Sequence, residues 1–239
     1  MKHHLETNKL NLRGWLKLLA VLTIVATGFS SCLKDHDNGN FPVTPVAGLN
    51  VVDASPGTAS FNFGLDNNYV NGPALLYGQR SGYINAYTGK RLFSLTSGGT
   101  TNVIATDSLK LEENNYYSLF ITGLNTTPTF FFTQDDLSAP PVGKAKIRFI
   151  QLSPDGGPFD LSVQNGATLF TNQAYQTASA FTTIDPGNYT FLLKADQSGT
   201  ITTLSPETIS AGRIYTVWSK GLIEGTGDYA ISGKVSVNN

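Results

Sequence analysis

The 239-residue sequence has one cysteine, one methionine and three histidines, and only 14% of it is charged. A single Cys excludes an internal disulfide framework and a thiolate zinc site. Sixteen Lys+Arg stand against 17 Asp+Glu, so there is no surplus of positive charge to meet a nucleic acid backbone. No Walker or dinucleotide glycine pattern lies between a strand and a helix. The apolar run near the N-terminus, residues 18–29, is short. As a helix it covers about 18 Å of a hydrocarbon core of about 30 Å, too little for a comfortable span. What the chain has in quantity is Gly (24), Pro (11), Phe (14) and Tyr (10). That composition suits globular β structure with many turns.

The N-terminus reads as an export signal. Lys2, Lys9, Arg13 and Lys17 form a positive leader before the apolar run, and the small residues Ser30 and Ser31 precede Cys32, the sole Cys. This order resembles a bacterial lipoprotein signal, with Phe29 departing from the usual aliphatic residue three places before the Cys. The resemblance implies cleavage before Cys32, with lipid on its sulfur and on the new amino group. The alternative is an ordinary signal peptide with an incidental Cys. Lipidation is favoured because the only Cys occupies the one position that requires it. Two or more acyl chains, at about 0.8 kcal/mol per buried methylene, make a stable anchor. Asp35 and Asp37 behind the Cys resemble the acidic tag that sends lipoproteins to the surface of the outer membrane in some Gram-negative bacteria. A plain polar tether would look the same. Removal of residues 1–31 leaves 12 basic and 16 acidic side chains, net −4, and His36 as the only histidine.

The remainder repeats itself at an offset of 98 residues. Ala47 aligns with Ala145, Ser55-Pro56 with Ser153-Pro154, Phe61 with Phe159, Tyr77 with Tyr175, Ser81 with Ser179, Tyr117 with Tyr215, and Gly123-Leu124 with Gly221-Leu222. A period this long marks a duplicated domain, since solenoid units run about 20–50 residues. Each copy reads as short strands of alternating polarity, such as Lys-Ala-Lys-Ile-Arg-Phe-Ile at 144–150 and Phe-Asp-Leu-Ser-Val at 159–163. Turn signals such as Ser-Pro-Asp-Gly-Gly at 153–157 and Asp-Pro-Gly-Asn at 185–188 separate them. The fold class is therefore all-β: two tandem immunoglobulin-like β-sandwiches. The organisation is a signal peptide at 1–31, a disordered tether at 32–45, sandwiches at 46–136 and 144–239, and a stiff Pro-rich linker at 137–143. Tyr117 and Tyr215 each open a strand after a turn, as in a tyrosine corner, and should be buried with a bonded hydroxyl.

At Val-Val-Asp-Ala-Ser-Pro-Gly (51–57), Phe-Ile-Gln-Leu-Ser-Pro-Asp-Gly-Gly (149–157), Pro-Gly-Asn-Tyr (186–189) and Ala-Gly-Arg-Ile-Tyr-Thr-Val (211–217) the chain resembles tandem copies of the domain of unknown function 4397 family. The likeness covers almost all of 46–236, and the second copy matches better. The first departs at Gly57, where the family favours Asp, and at Asn62 in place of Asp160. The resemblance implies a fold and an exported location, and no reaction.

No Cys or His lies in either domain, so Ser-His-Asp and Cys-His catalysis cannot be assembled. Metal sites and cofactors are not expected, there being no imidazole, thiolate or Asp-x-Asp-x-Asp loop. The adjacent pairs Glu112-Glu113 and Asp135-Asp136 read as solvated turns, because neighbours on a strand face opposite ways. Lys144, Lys146 and Arg148 share a strand face and read as guards against edge pairing. Phe120 and Trp218 fall opposite the core side of their strands. Trp218 is thus a candidate exposed aromatic for a sugar or partner, weighed against packing under a loop or at the domain junction. Among Phe130, Phe131 and Phe132, alternation turns at least one away from the core, most simply toward the second domain. The candidate binding residues are Trp218, Phe120 and Phe131, and the lipidation site is Cys32. The reading is a non-catalytic, lipid-anchored cell-envelope protein that binds a glycan or an envelope protein, or serves a structural role. Its membrane partner is reached through the anchor, and no nucleic acid is involved. The alternative is a carboxylate-dependent hydrolase acting on glycans, which would need two carboxylates several Å apart in a cleft.

Overall fold

A computed structural model describes residues 44–239 apart from 58, 59, 71 and 125. The signal segment, Cys32 and the tether up to residue 43 lie outside the described residues. No described helix is long and apolar enough to cross a membrane.

The described chain is all-β, with one three-residue 3-10 turn at Gly227–Tyr229. The first half supplies β1 (Val46–Asp53), β2 (Ser60–Leu65), β3 (Asn68–Tyr69), β4 (Leu75–Leu76), β5 (Arg80–Tyr87), β6 (Gly89–Ser97), β7 (Val103–Leu111), β8 (Tyr116–Leu124) and β9 (Thr127–Asp135). They form two sheets, β5-β1-β8-β9 and β3-β2-β6-β7, with β4 also on β2. The second half supplies β10 (Ala145–Gln151), β11 (Phe159–Val163), β12 (Thr168–Gln173), β13 (Thr177–Ala178), β14 (Thr182–Ile184), β15 (Gly187–Tyr189), β16 (Phe191–Ala195), β17 (Ile201–Thr203), β18 (Glu207–Ile209), β19 (Ile214–Lys220) and β20 (Ser232–Val237). Its sheets are β13-β10-β19-β20, with β14 also on β10, and β12-β11-β16-β17, beside the small pair β15-β18.

Each half closes a sheet pair over its own core. Alternate residues of β1, β2, β6 and β8 meet in the first, among them Leu49, Val51, Phe61, Phe63, Phe93, Leu95, Tyr117 and Leu119. Ile147, Phe149, Phe159, Leu161, Phe191, Leu193, Tyr215 and Val217 meet in the second. This is the period-2 arrangement of a sandwich, one face of each strand turned inward.

Four strands break the alternation. Along β1, β8, β10 and β19 nearly every residue is buried on both faces. Their second faces are covered by the other half. Val52, Ala54 and Phe120 of the first half meet Ile150, Leu152 and Trp218 of the second in a third apolar cluster, with Phe131 and Ala178 packed against it. The described residues 44–239 therefore stack four sheets with three apolar layers between them. The Pro-rich segment at 137–143 forms no strand. It is held on β10 by Lys146, whose Nζ donates to Ser138 O (2.9 Å) and Oγ (2.7 Å) and pairs with Asp136 (2.8 Å).

This stacking corrects two expectations. Strand β10 is interior, flanked by β19 and by β13 and β14, so its basic residues guard no edge. Lys144 pairs with Asp185 at 2.5 Å. Arg148 is buried and forms an ion pair with Asp135. Asp135 is accordingly no solvated turn residue, whereas Asp136 is exposed.

Candidate functional site

The tyrosine expectation holds in both halves. Tyr117 and Tyr215 are buried, and their hydroxyls accept from the backbone N–H of Glu112 (3.3 Å) and Ser210 (2.9 Å). Each bond ties a strand to the turn five residues before it.

The candidate aromatic patch is not a surface. Trp218 is 1% exposed and Phe120 2%, with ring centroids 6.4 Å apart. Phe131 is half-buried at 6.2 Å from Phe120. Trp218 Nε1 donates to Ser236 Oγ at 3.0 Å. Of the two placements weighed for Trp218, the structure has the packed one, between the two halves, and not the exposed one. Alternation does turn the side chain off its own core, and the facing sheet then covers it. Phe130 and Phe132 pack on the first core, while Phe131 turns to the junction.

A polar network surrounds that apolar layer. Asp135 accepts from Arg148, from Tyr83 Oη (2.6 Å) and from Ser118 Oγ (2.6 Å). Arg148 Nε donates to Thr216 Oγ1 (2.9 Å), which donates to Asn238 Oδ1 (3.0 Å). The Arg148 guanidinium also lies over the Phe181 ring, 4.7 Å from its centroid. At the other side of the junction Lys220 sits over the Tyr77 ring at 4.2 Å, and Lys234 Nζ donates to Gly78 O at 2.8 Å. Burial and the nearby Lys234 lower the pKa of Lys220.

The two adjacent carboxylate pairs sit in different surroundings. Glu112 is exposed and pairs with Lys110 at 2.9 Å, and Glu113 is exposed. Asp136 is pulled down to about 2 by its hydrogen bonds to Lys146 and Ser138. Asp53 carries no local sequence signal. Its carboxyl is fully buried, and desolvation pushes its pKa up to about 7 against one backbone bond from Ser55. Oδ1 accepts that bond at 3.0 Å and Oδ2 has no partner. Asp155 accepts from the backbone of Ile223 (3.1 Å), so it ties its Ser-Pro-Asp turn to the loop after β19 rather than bracing the turn alone.

A concave feature lies at the edge of the first half's sheet pair. A cleft of about 480 Å³ is bounded by Phe63, Val70, Leu75, Leu76 and Ile84, with Gln79, Arg80 and Ser81 among its other lining residues. Its origin is local. In the second half β12 runs unbroken over Thr168–Gln173, but β3 and β4 are two-residue pieces separated by residues 70–74, which include Gly72 and Pro73. Pro cannot donate to a ladder, so the edge is interrupted there. The turn that follows is pinned to β1: Asp53 N donates to Gln79 O (3.0 Å) and Gly78 N to Asp53 O (2.7 Å). Gly78 takes the left-handed φ of 76° this turn needs. Next comes a bulge. Register slips between the pairs Asn50–Tyr83 and Val52–Arg80, with Gly82 at φ 72°. Ser81 Oγ patches the ladder by accepting from Val51 N (2.9 Å) and donating to Gly82 O (2.7 Å). Beyond the bulge, Arg80 lies opposite Val52 and lines both this cleft and the junction pocket that holds Phe120 and Trp218. The interruption by Asn-Gly-Pro at 71–73 was the available sequence signal.

Residues 47–162 match the family model described as Domain of unknown function (DUF4397). The stretch runs from β1 into β11 and supports the resemblance there. No curated protein matches the chain. Among solved structures, the chain is similar to the family 26 carbohydrate-binding module of Eubacterium rectale Amy13K solved with maltoheptaose. That likeness has 11% identity, 80% of this chain and 95% of the other covered, and a TM-score of 0.25. It is also similar to a streptococcal virulence factor described by its α-glucan binding, at 11% identity, 74% and 92% coverage and a TM-score of 0.23.

Proposed function

We propose that the chain is a non-catalytic cell-envelope protein, held on the outer membrane by lipid on Cys32, in which a duplicated immunoglobulin-like sandwich serves as one rigid binding or structural body. The proposed organisation is signal peptide 1–31, tether 32–45, sandwiches 46–136 and 144–239, and linker 137–143. The observation that carries the reading is the junction. Positions 98 residues apart meet across it: Phe120 lies against Trp218, and Val52 and Ala54 share a cluster with Ile150 and Leu152. Tyr77 contacts Lys220 as Tyr175 contacts Thr122 at 3.3 Å. Paired contacts of this kind are those of two like units about a pseudo-twofold axis. A buried apolar layer with a hydrogen-bonded ion pair fixes the halves relative to each other, which suits a body that presents surfaces. Moving domains would leave the layer exposed.

The hydrolase reading has the weaker support, because Asp135 is occupied by Arg148 and its neighbour Asp136 faces outward. The test is a cross-linking pull-down of the lipidated protein from its native envelope, beside incubation of the purified protein with glycans. Recovery of a saturable ligand or partner is the expected result. Release of new reducing ends from any glycan would replace the reading with the hydrolase.

A further inference from the structure

We propose that the end of β1 and the turn hung on it form a proton-operated latch at one end of the junction: while Asp53 is protonated the turn at 77–79 stays closed against β19 and β20, and when Asp53 ionises the turn swings free and releases Lys220 and Lys234. The proposal goes beyond the binding reading above and does not rest on it. The latch is a short chain of contacts. Asp53 holds the turn by its backbone, donating to Gln79 O at 3.0 Å and accepting from Gly78 N at 2.7 Å. The ladder between β1 and β5 ends here after its register slip between Asn50 and Val52, so these two bonds fix the turn to the strand. The turn holds the second half in its place. Gly78 O accepts from Lys234 Nζ at 2.8 Å, and the Tyr77 ring lies 4.2 Å from Lys220 Nζ. Packing is close enough that a Cβ on Gly78 would come within 3.3 Å of Lys234 Nζ.

The trigger is a carboxyl with no charge to ionise against. Asp53 is 0% exposed, with Oδ1 accepting from Ser55 N at 3.0 Å and Oδ2 unpartnered. An uncompensated charge in such a place is costly. The titratable groups around it do not relieve that cost. Tyr77, on the turn, has a buried hydroxyl without a partner, and burial and the neighbouring Asp53 raise its pKa. Lys220 of β19 donates to Asp228 O at 3.1 Å and Lys234 of β20 to Gly78 O, so both ammoniums are spent on backbone carbonyls. Tyr229 packs on the Tyr77 ring at 5.3 Å, and β8 sets only Ile121 opposite Asp53. Outward movement of the turn is the remaining route from the carboxylate to water. The second half has the same clamp without the trigger. Gln151, 98 residues after Asp53, accepts from Gln176 N at 2.9 Å as Asp53 accepts from Gly78, but its amide is neutral and bonded to Ser153, Gly157 and Ser219. The closed turn keeps the Asp53 proton up to about 7, whereas an open turn would let it go near the ordinary 3.8. Closure therefore weakens as pH rises between those values and levels off above them.

The experiment is amide hydrogen exchange of the purified full chain, followed by NMR from pH 5 to pH 8 and corrected for intrinsic base-catalysed exchange. It compares the Gly78 N–H, bonded to Asp53 O, with the Gln176 N–H, bonded to Gln151 O. The protection factor of Gly78 is expected to fall about tenfold per pH unit up to pH 7 and to level off above it, while that of Gln176 stays constant. A parallel fall at both amides would tie the carboxyl to global unfolding alone and overturn the latch, and so would constancy at both. Asp53→Asn is expected to hold Gly78 at its pH 5 protection throughout. The second readout is reductive methylation of lysines at pH 8, where Lys220 should react at least about tenfold faster in the native chain than in the Asp53→Asn variant. Equal rates would overturn the release of Lys220. Should that variant fail to fold, the comparison of Gly78 with Gln176 in the native chain decides the matter by itself.

Discussion

Asp53 and Gln151 stand at the ends of β1 and β10, and each accepts the backbone N–H of the serine two residues on. Gln151 satisfies itself further by donating to Ser153 O (3.0 Å) and Gly157 O (2.6 Å). Asp53 is shorter and, when ionised, has no proton to give, so its second oxygen is left bare in a dry site. The consequence is a pH dependence with a definite sign. The unfolded chain releases this proton near 3.8, whereas the folded protein keeps it until about 7. Stability therefore falls as pH rises through that window and levels off above it. Asp53→Asn should flatten this slope and raise the urea midpoint at pH 8 more than at pH 5; an unchanged slope would show that another group is responsible. Asp136 acts in the opposite direction and lower down, since its pairing with Lys146 is lost only as pH falls toward about 2. The residue pattern gave no warning of Asp53, because Val-Val-Asp-Ala-Ser-Pro reads as a strand running into a turn. Only the burial of the strand's end makes that carboxyl unusual.

At the scale of elements, the strands and turns were legible. Alternation located β10 and β11, and the tyrosines at 117 and 215 proved to be bonded as corners should be. Tyr215→Phe leaves the N–H of Ser210 without its acceptor and should cost about 1 kcal/mol in chemical denaturation, the net worth of such a bond. What could not be read was which strands would be covered twice. Lys144, Lys146 and Arg148 look alike in sequence, yet the first is paired at the surface, the second clamps the linker, and the third lies buried against Asp135. Their difference comes from the facing sheet. Arg148→Met should cost about 3–5 kcal/mol by stranding Asp135 in the interior. Adding Asp135→Asn should recover part of that loss, measured as the shift in denaturation midpoint. Equal loss in single and double variants would mean the ion pair itself supplies the stability.

At the largest scale described, residues 44–239, the junction joins the two sheet pairs through one apolar layer. Trp218→Ala should destabilise by about 3–5 kcal/mol, as large-to-small changes in a packed layer do, and should loosen the halves, seen as faster hydrogen exchange in β1 and β8. The anchor is tested at the same scale: Cys32→Ala is expected to move the protein from the carbonate-washed membrane fraction to the soluble one. Retention in the pellet would count against lipidation.

The sequence by itself determined that the chain is built of β strands, where most of them start and stop, and which chemistries it lacks the side chains to perform. These follow from local causes: period-2 patterning, turn residues at fixed offsets, and the absence of histidine and cysteine from 44–239. Only the packing of sheet on sheet set Phe120 against Trp218 instead of solvent, buried Arg148, and opened the cleft beside β4 and β5. A strand's pattern shows which face is apolar, but the partner that covers it comes from a segment about a hundred residues away. No local signal specifies that meeting, because it depends on how two finished sheets fit.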